Sequence, residues 1–394
     1  MKPLGIVTAR GNHVARISPS HVISQDHKIY MSTDPGTTSD EATQWIDEQR
    51  DTWRAKPSLV VPLGTKANVM MLGSDPEMFV VSATTGKVIP AYKFLPSPQG
   101  LEGAYKLFWD GFQAEFTMPA QQCLGFLVDK FQQQLHALYT AAKSFTNDAK
   151  LDPTCLVEVD QSEMDTALDE HVALGCSPSI NIYDIPCIMV GNPRELTRRV
   201  AGCHVHMQFD HASQPRMIES VKMIDKSLLL MSMGMLEGLE DTSRREYYGR
   251  PGEIRFPASN RLEYRAFPST IQIHPALVHF HFDIARLICD LEHTVVDWLW
   301  EGSSEEAVEV VMSGDIGAAR AILQRNEPLV RYLLQRKYYH PAIINATWRM
   351  IMEGAAKFLP SLSIESNWKL NSIWNTHSGG REEINYSTFA RTLA

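Results

Sequence analysis

The chain has 394 residues, 44% of them hydrophobic, with a formal net charge of −9. That length and composition permit a globular fold with a sizeable core, as one large domain with an appendage or as two domains. The acidic balance lacks the broad basic footprint of a nonspecific nucleic-acid binder, so small molecules or a peptide are the expected partners and nucleic acid is not.

Residues 1–70 mix a strand pattern at Ile6 to Ile17 with a turn-rich stretch and a short polar helix from Glu41 to about Arg54, and read as an amino-terminal extension or small lid. From residue 71 the pattern becomes sheet-like. Strands are predicted at Val69 to Val81, Val88 to Tyr92 and Gly111 to Met118, and an amphipathic helix over Gln121 to Thr146 carries Leu124, Leu127, Val128 and Phe131 on one side. A loop at 175–184 leads to an alternating strand, Cys203 to Phe209, and to a Met-rich helix over Ser213 to Glu240 whose methionines read as core filler. A long apolar helix follows from His274 to Leu299. The region 291–394 reads as helical, with helices at Ser304 to Met312, Ile316 to Gln324 and Ala342 to Phe358 before a tail. The six cysteines, Cys123, Cys155, Cys176, Cys187, Cys203 and Cys289, have no Cys-x-x-Cys spacing and are too sparse for a disulfide framework, which points to a reducing cytoplasm. The most apolar stretch, Leu228 to Leu236, is interrupted by Ser232 and Gly234, and no signal peptide or membrane span is expected.

The stretch RPGEIRFPASNRLEYRAFP, Arg250 to Pro268, carries the strongest chemical signal. At period two it is a hairpin. Ile254, Phe256, Leu262, Tyr264 and Ala266 fall on one face, while the other carries Glu253, Arg255, Arg261, Glu263 and Arg265. A face made only of Glu and Arg is expected where a sheet holds metal and phosphate, although a surface salt-bridge ladder has the same pattern. Three other strands repeat the feature: Asp75 and Glu77 in GSDPEMFVV, Gln113 and Glu115 in GFQAEFTMP, and His204, His206 and Gln208 opposite Cys203, Val205 and Met207 in GCHVHMQF. If these strands neighbour one another in one antiparallel sheet, Asp75, Glu77, Glu115, His204 and Glu263 converge on a concave face. Such an oxygen-rich set with one imidazole suits Mg²⁺ or Mn²⁺ better than structural zinc.

In this order the motifs resemble the glutamine synthetase superfamily: GSDPEMF its Glu-Pro-Glu strand, FQAEF its Gln-x-Glu strand, AGCHVHM its Gly-x-His-x-His-Met strand, and the Arg-rich hairpin its Arg-x-Glu-x-Arg core. The wording DPEMF and CHVHM is similar to the phage-type carboxylate-amine ligases, type 2. The resemblance covers about 71–290. Asp75 stands where the family has Glu, and the family's Asn-Gly-Ser-Gly loop before His204 is missing.

The resemblance implies an α+β fold: a glutamine synthetase-like antiparallel sheet with a concave catalytic face, helices on its back and a helical carboxy-terminal part. It implies ATP and two Mg²⁺ or Mn²⁺ ions as cofactors. Glu77 and Glu115, with Asp110 as the third candidate ligand, would hold one ion, and Asp75, His204 and Glu263 the other. Arg250, Arg255, Arg261 and His206 match positions around the nucleotide, and Arg265 matches one near the transferred phosphoryl group. The expected activity is ATP-dependent ligation of a carboxylate to an amine, both small molecules or peptides, through an acyl phosphate. The expected setting is the host cytoplasm of a phage-encoded protein, with a homo-oligomer compatible. A guanidino-type phosphotransferase, a metal-dependent hydrolase on the same fold and a non-catalytic phage structural protein are the alternatives.

Overall fold

The computed structural model of the chain describes 69–370, apart from 174–178, 187–191, 211, 292–295, 298 and 339, together with 50–51, 54–57 and the backbone of three short strands. These strands, β1 (Arg16–Ser18), β2 (His21–Ile23) and β3 (Ile29–Met31), form a small antiparallel sheet in that order. Most of the strand predicted at 6–17, most of the helix predicted at 41–54, and the tail lie outside the described residues.

The single strand predicted from Val69 to Val81 is in fact two, β4 (Val69–Ser74) and β5 (Glu77–Ser82). Pro76 lies in the break, where it has no N–H to give to a ladder, and the chain passes there from one sheet to another. The remaining strands are β6 (Leu107–Asp110), β7 (Gln113–Phe116), β8 (Met118–Gln121), β9 (Ala149–Asp152), β10 (Leu156–Glu158), β11 (Ile180–Asn181), β12 (Arg198–Val200), β13 (Val205–Phe209), β14 (Glu253–Ala258) and β15 (Arg261–Tyr264). A six-stranded antiparallel sheet has the order β11-β14-β15-β13-β4-β8, a four-stranded one β6-β7-β5-β9, and β10 pairs with β12. The acidic strands therefore do not share one sheet as the alternation suggested. Glu77 and Glu115 belong to the four-stranded sheet, and His206 and Glu263 to the six-stranded one. The strand predicted at Val88 to Tyr92 is a single bridge from Val88 to Val81 followed by a 3-10 turn, Ala91–Lys93.

Alternation places Val205, Met207 and Phe209 of β13, Ile254 of β14, Leu262 and Tyr264 of β15 and Leu72 of β4 in one continuous core. Against it pack the helices Gln214–Met223 and Pro275–Asp290, the latter ending well before the predicted Leu299. Between Met223 and Leu230 the Met-rich helix widens into a π-helical stretch, Ile224–Leu229, which carries the fully buried Asp225. The Tyr264 hydroxyl donates to Asp225 Oδ1 at 2.6 Å, so this buried carboxyl has a partner. The helix Leu124–Phe145 buries Leu127, Val128, Phe131 and Leu135, and Phe131 meets Phe282 edge-on with ring centroids 5.8 Å apart.

Helices Ser304–Ser313, Ile316–Arg325, Glu327–Lys337 and Pro341–Glu353 follow. The third of these is absent from the sequence reading. Pro328 looks like a breaker, but it lies in the first turn, where a backbone N–H has no helical acceptor. These helices share the sheet's core through Val311, Leu323, Leu333 and Ile351. The architecture is α+β, with antiparallel sheets and packed helices. Among the described residues, no helix is long and apolar enough to cross a membrane.

Candidate active site

Register brings the charged face together. Across β14, β15, β13 and β4, Arg255 lies opposite Glu263, Glu263 opposite His206, and His206 opposite Gly73, two residues before Asp75. On the other sheet Glu77 of β5 pairs directly with Glu115 of β7. Asp110 joins them because β6 and β7 are linked by only Gly111 and Phe112, with Asp110 paired to Gln113. Gly111 makes that turn at φ 62°, and a Cβ there would stand 2.7 Å from the carbonyl oxygen of His171.

Two sets of side chains result, each with ligand atoms within 4.8 Å of one another: Glu77, Asp110 and Glu115, and Asp75, His206 and Glu263. The first has the membership expected from the sequence. The second differs, because it contains His206 where His204 was expected. Both ring nitrogens of His204 are engaged, Nδ1 with Asp75 Oδ1 at 2.9 Å and Nε2 with the hydroxyl of Tyr248. His206 Nε2 lies 3.1 Å from Asp75 Oδ1 and 3.9 Å from Glu263 Oε2 without a hydrogen bond. Its Nδ1 accepts from Arg261 Nη2, so in a neutral ring the proton sits on Nε2, facing the carboxylates. His206, expected beside the nucleotide, thus stands in the ligand set with Asp75 and Glu263, while the likewise buried His204 bridges Asp75 and Tyr248, a distinction of partners that alternation does not encode.

The arginines differ in their surroundings. Arg265 has a side chain only 1% exposed, its Nη1 lies 3.4 Å from Glu263 Oε1, and its Nε donates to the Tyr248 hydroxyl at 2.7 Å. Arg255 is half-buried and places Nη1 3.3 Å from Glu263 Oε2. Glu263 is itself 2% exposed, so the charged face of the hairpin is not a surface ladder. Arg250 is buried beside Glu253, its Nη2 3.4 Å from Oε1, while its Nε and Nη1 make no hydrogen bond. Glu253 is fixed by the N–H groups of Gly249 and Arg250 and by Ser179, which donates at 2.5 Å.

Burial pushes the Glu77 carboxyl up to about 7, with the nearby charges of Asp110 and Asp75 adding to the effect. Burial likewise raises Asp110, and it raises Glu115 well above the usual range, helped by Asp75, Glu77, Asp110 and Glu263. Burial would also raise Asp75, but the charges of His204 and His206 and the hydrogen bond to His204 hold it well below the carboxylate norm. Carboxylates crowded out of water in this way either keep protons or take up cations.

Tyr248 escapes sequence reading, since it lies in an irregular segment without periodicity, and the glycine of the AGCHVHM motif, Gly202, has no role assigned to it there. Gly202 gives its N–H to Glu77 Oε2 at 2.6 Å.

No protein-family model matches this chain, and no curated protein sequence matches it. Among solved structures, a bifunctional glutathione synthetase from Pasteurella multocida is similar over 88% of this chain and 52% of its own, with 11% sequence identity and a TM-score of 0.43. The chain spans about half the length of that protein.

Proposed function

We propose that this protein is an ATP-dependent carboxylate-amine ligase working through an acyl phosphate on a glutamine synthetase-like sheet. The observation that carries the reading is the pair of ligand sets, Asp75, His206 and Glu263 beside Glu77, Asp110 and Glu115, with the buried guanidinium of Arg265 against Glu263. The donors fit Mg²⁺ or Mn²⁺: carboxylate oxygens dominate, and His206 Nε2 and Glu263 Oε1 are buried without a hydrogen-bond partner. When bound, two such ions would neutralise the nucleotide phosphates and the charge that develops between them.

An amide forms from a carboxylate and an amine at neutral pH only if a carboxylate oxygen becomes a leaving group. In this reading a carboxylate oxygen of the acid attacks the terminal phosphorus of ATP and ADP departs. The amine then attacks the acyl carbon, phosphate leaves, and the amine loses a proton. Arg250, Arg255 and Arg261 would grip the nucleotide phosphates, and the planar fork of Arg265 would stabilise the phosphoryl group in flight. For His206 to act as a ligand through Nε2, its proton must move to Nδ1 and Arg261 must turn its donor elsewhere, and an incoming phosphate is such an acceptor. Glu263 and Arg265 are nearly fully buried, and in this reading such burial would help keep water from an acyl phosphate. The resemblance further implies a phage-encoded enzyme acting in the host cytoplasm on small-molecule or peptide substrates.

The test is ADP release in Mg²⁺ or Mn²⁺ across paired acids and amines, with mass spectrometry of the products. Release that needs both partners, with a condensed product, is the expected result. Release with a guanidino acceptor alone would replace the reading with phosphotransfer, cleavage without ATP would replace it with hydrolysis, and inertness in every pairing would leave a non-catalytic protein.

A further inference from the structure

We infer that Tyr248 is a positioning residue that ties the carboxylate side of the site to Arg265, and that it sets the guanidinium for the phosphoryl group in transfer. The inference rests on the reading of the site as a phosphoryl-transfer centre. The Tyr248 hydroxyl accepts from Arg265 Nε at 2.7 Å and meets His204 Nε2, whose Nδ1 reaches Asp75 Oδ1 at 2.9 Å. The Tyr248 hydroxyl thus links the Arg265 guanidinium to the His204–Asp75 pair through contacts at hydrogen-bond distance. The Tyr248 ring also lies under the guanidinium, with Cζ 5.0 Å from its centroid, and meets the His204 ring edge-on at 5.5 Å.

These contacts fix Arg265 in two ways. The hydroxyl occupies Nε, on the inner edge of the fork, and the ring face restricts its tilt. The terminal nitrogens stay on the Glu263 side, where Nη1 is 3.4 Å from Oε1. A long side chain otherwise loses much rotamer freedom when it is called on in a transition state, and a guanidinium already clamped loses less. The backbone around Tyr248 is braced as well. Gly249 N and Arg250 N donate to the buried Glu253, and Tyr248 N donates to Arg244 O at 2.8 Å. Arg244 is itself buried against Glu240 at 2.9 Å.

The test is Tyr248→Phe, which keeps the ring and removes the hydroxyl. Three probes are titrated into parent and variant: Mn²⁺ alone, Mg²⁺ with ADP, and Mg²⁺ with ADP and aluminium fluoride as a mimic of the phosphoryl group in flight. The variant should bind Mn²⁺ and ADP within about twofold of the parent and the mimic at least about tenfold more weakly, since only the last uses the oriented fork. Arg265→Lys should show the same selective loss, and Tyr248→Phe placed on it should add little, because the two act as one unit. Equal binding of the mimic by parent and Tyr248→Phe overturns the inference, and so does an equal loss on ADP and mimic, which marks a structural role. A parent that binds neither Mn²⁺ nor ADP overturns the site reading and this inference together, whereas a parent that binds the mimic no better than the variant does removes the inference alone.

Discussion

Glu77 and Gly202 are tied to each other twice: the Glu77 N–H donates to the Gly202 carbonyl at 2.9 Å, and the Gly202 N–H donates to Glu77 Oε2 at 2.6 Å. The pair bridges the two sheets at the point where β5 leaves the Asp75–Pro76 break and the chain approaches β13. One carboxylate oxygen of Glu77 is thereby held by the backbone, and the other is left for the set it shares with Asp110 and Glu115.

Gly202→Ala should damage the site more than the fold. An added Cβ would stand 3.0 Å from His204 Nε2 and 3.3 Å from Tyr248 Cε1, so one of these rings must shift and the Gly202 N–H with it. Loss of such a supporting bond typically weakens a metal site about 10- to 100-fold. Mn²⁺ titration monitored by electron paramagnetic resonance should give a loss of about tenfold or more with a nearly unchanged melting temperature. An unchanged titration would mean that Glu77 is not a ligand or does not depend on Gly202.

Arg261 should oppose cation binding in the absence of nucleotide and favour nucleotide binding in its presence. Its guanidinium donates to His206 Nδ1 and so keeps a proton on Nε2. In Arg261→Met that constraint is gone, and Mn²⁺ alone should bind about threefold tighter or more, while Mg²⁺ with ADP should bind about tenfold more weakly for want of a charge-assisted phosphate contact. Calorimetry of the two ligands decides the point. Parallel weakening of both would place Arg261 in the general field of the site and not on the His206 ring.

How much of this was legible in the sequence follows from what period two encodes. Alternation fixes which residues share a face, and it put Val205, Met207 and Tyr264 in the core and Glu263 with the histidines opposite. It is silent on the partners each side chain meets on that face, so it could not separate His204, locked between Asp75 and Tyr248, from His206, whose Nε2 has no hydrogen bond. Nor does alternation say which strands pair. Pro76 sits between two stretches of the same pattern, and only tertiary structure sends β4 and β5 to different sheets. Tyr248 acts through a loop, where function depends on a few contacts and leaves no periodic trace.

The two faces of β13 should separate cleanly under mutation. Val205 is fully buried in the core, and Val205→Ala should cost about 1 to 3 kcal/mol through the cavity it leaves. His206→Ala removes a member of the ligand set and little core volume. Thermal melts with and without saturating Mn²⁺ should show a lower baseline for Val205→Ala with the metal increment intact, and a near-parental baseline for His206→Ala with most of the increment lost. Full metal stabilisation of His206→Ala would return the ligand role to His204.

Asp225 should make stability depend on pH independently of the metal set. Burial raises its carboxyl to about 7, against an ordinary value of 3.8, and the hydrogen bond from Tyr264 offsets only part of that rise. The folded state therefore binds the proton more tightly than the unfolded chain. The resulting stabilisation is fully present below pH 3.8, is lost progressively as pH rises through about 7, and has gone above that. A shift of this size corresponds to an upper limit on the order of 4 kcal/mol across the window. Asp225→Asn is neutral throughout and should lack this slope. Its amide must also meet the Tyr264 hydroxyl, which donates to Oδ1 at 2.6 Å, so its absolute stability can differ from the parent's for reasons unrelated to charge, and the slope is the quantity to compare. Urea unfolding at intervals from pH 4 to 8 should give a parent whose stability falls relative to the variant as pH rises, most steeply between about 5 and 7. Parallel pH profiles for the two proteins would mean that Asp225 is ionised throughout and that the Tyr264 hydroxyl and its surroundings fully compensate for its burial.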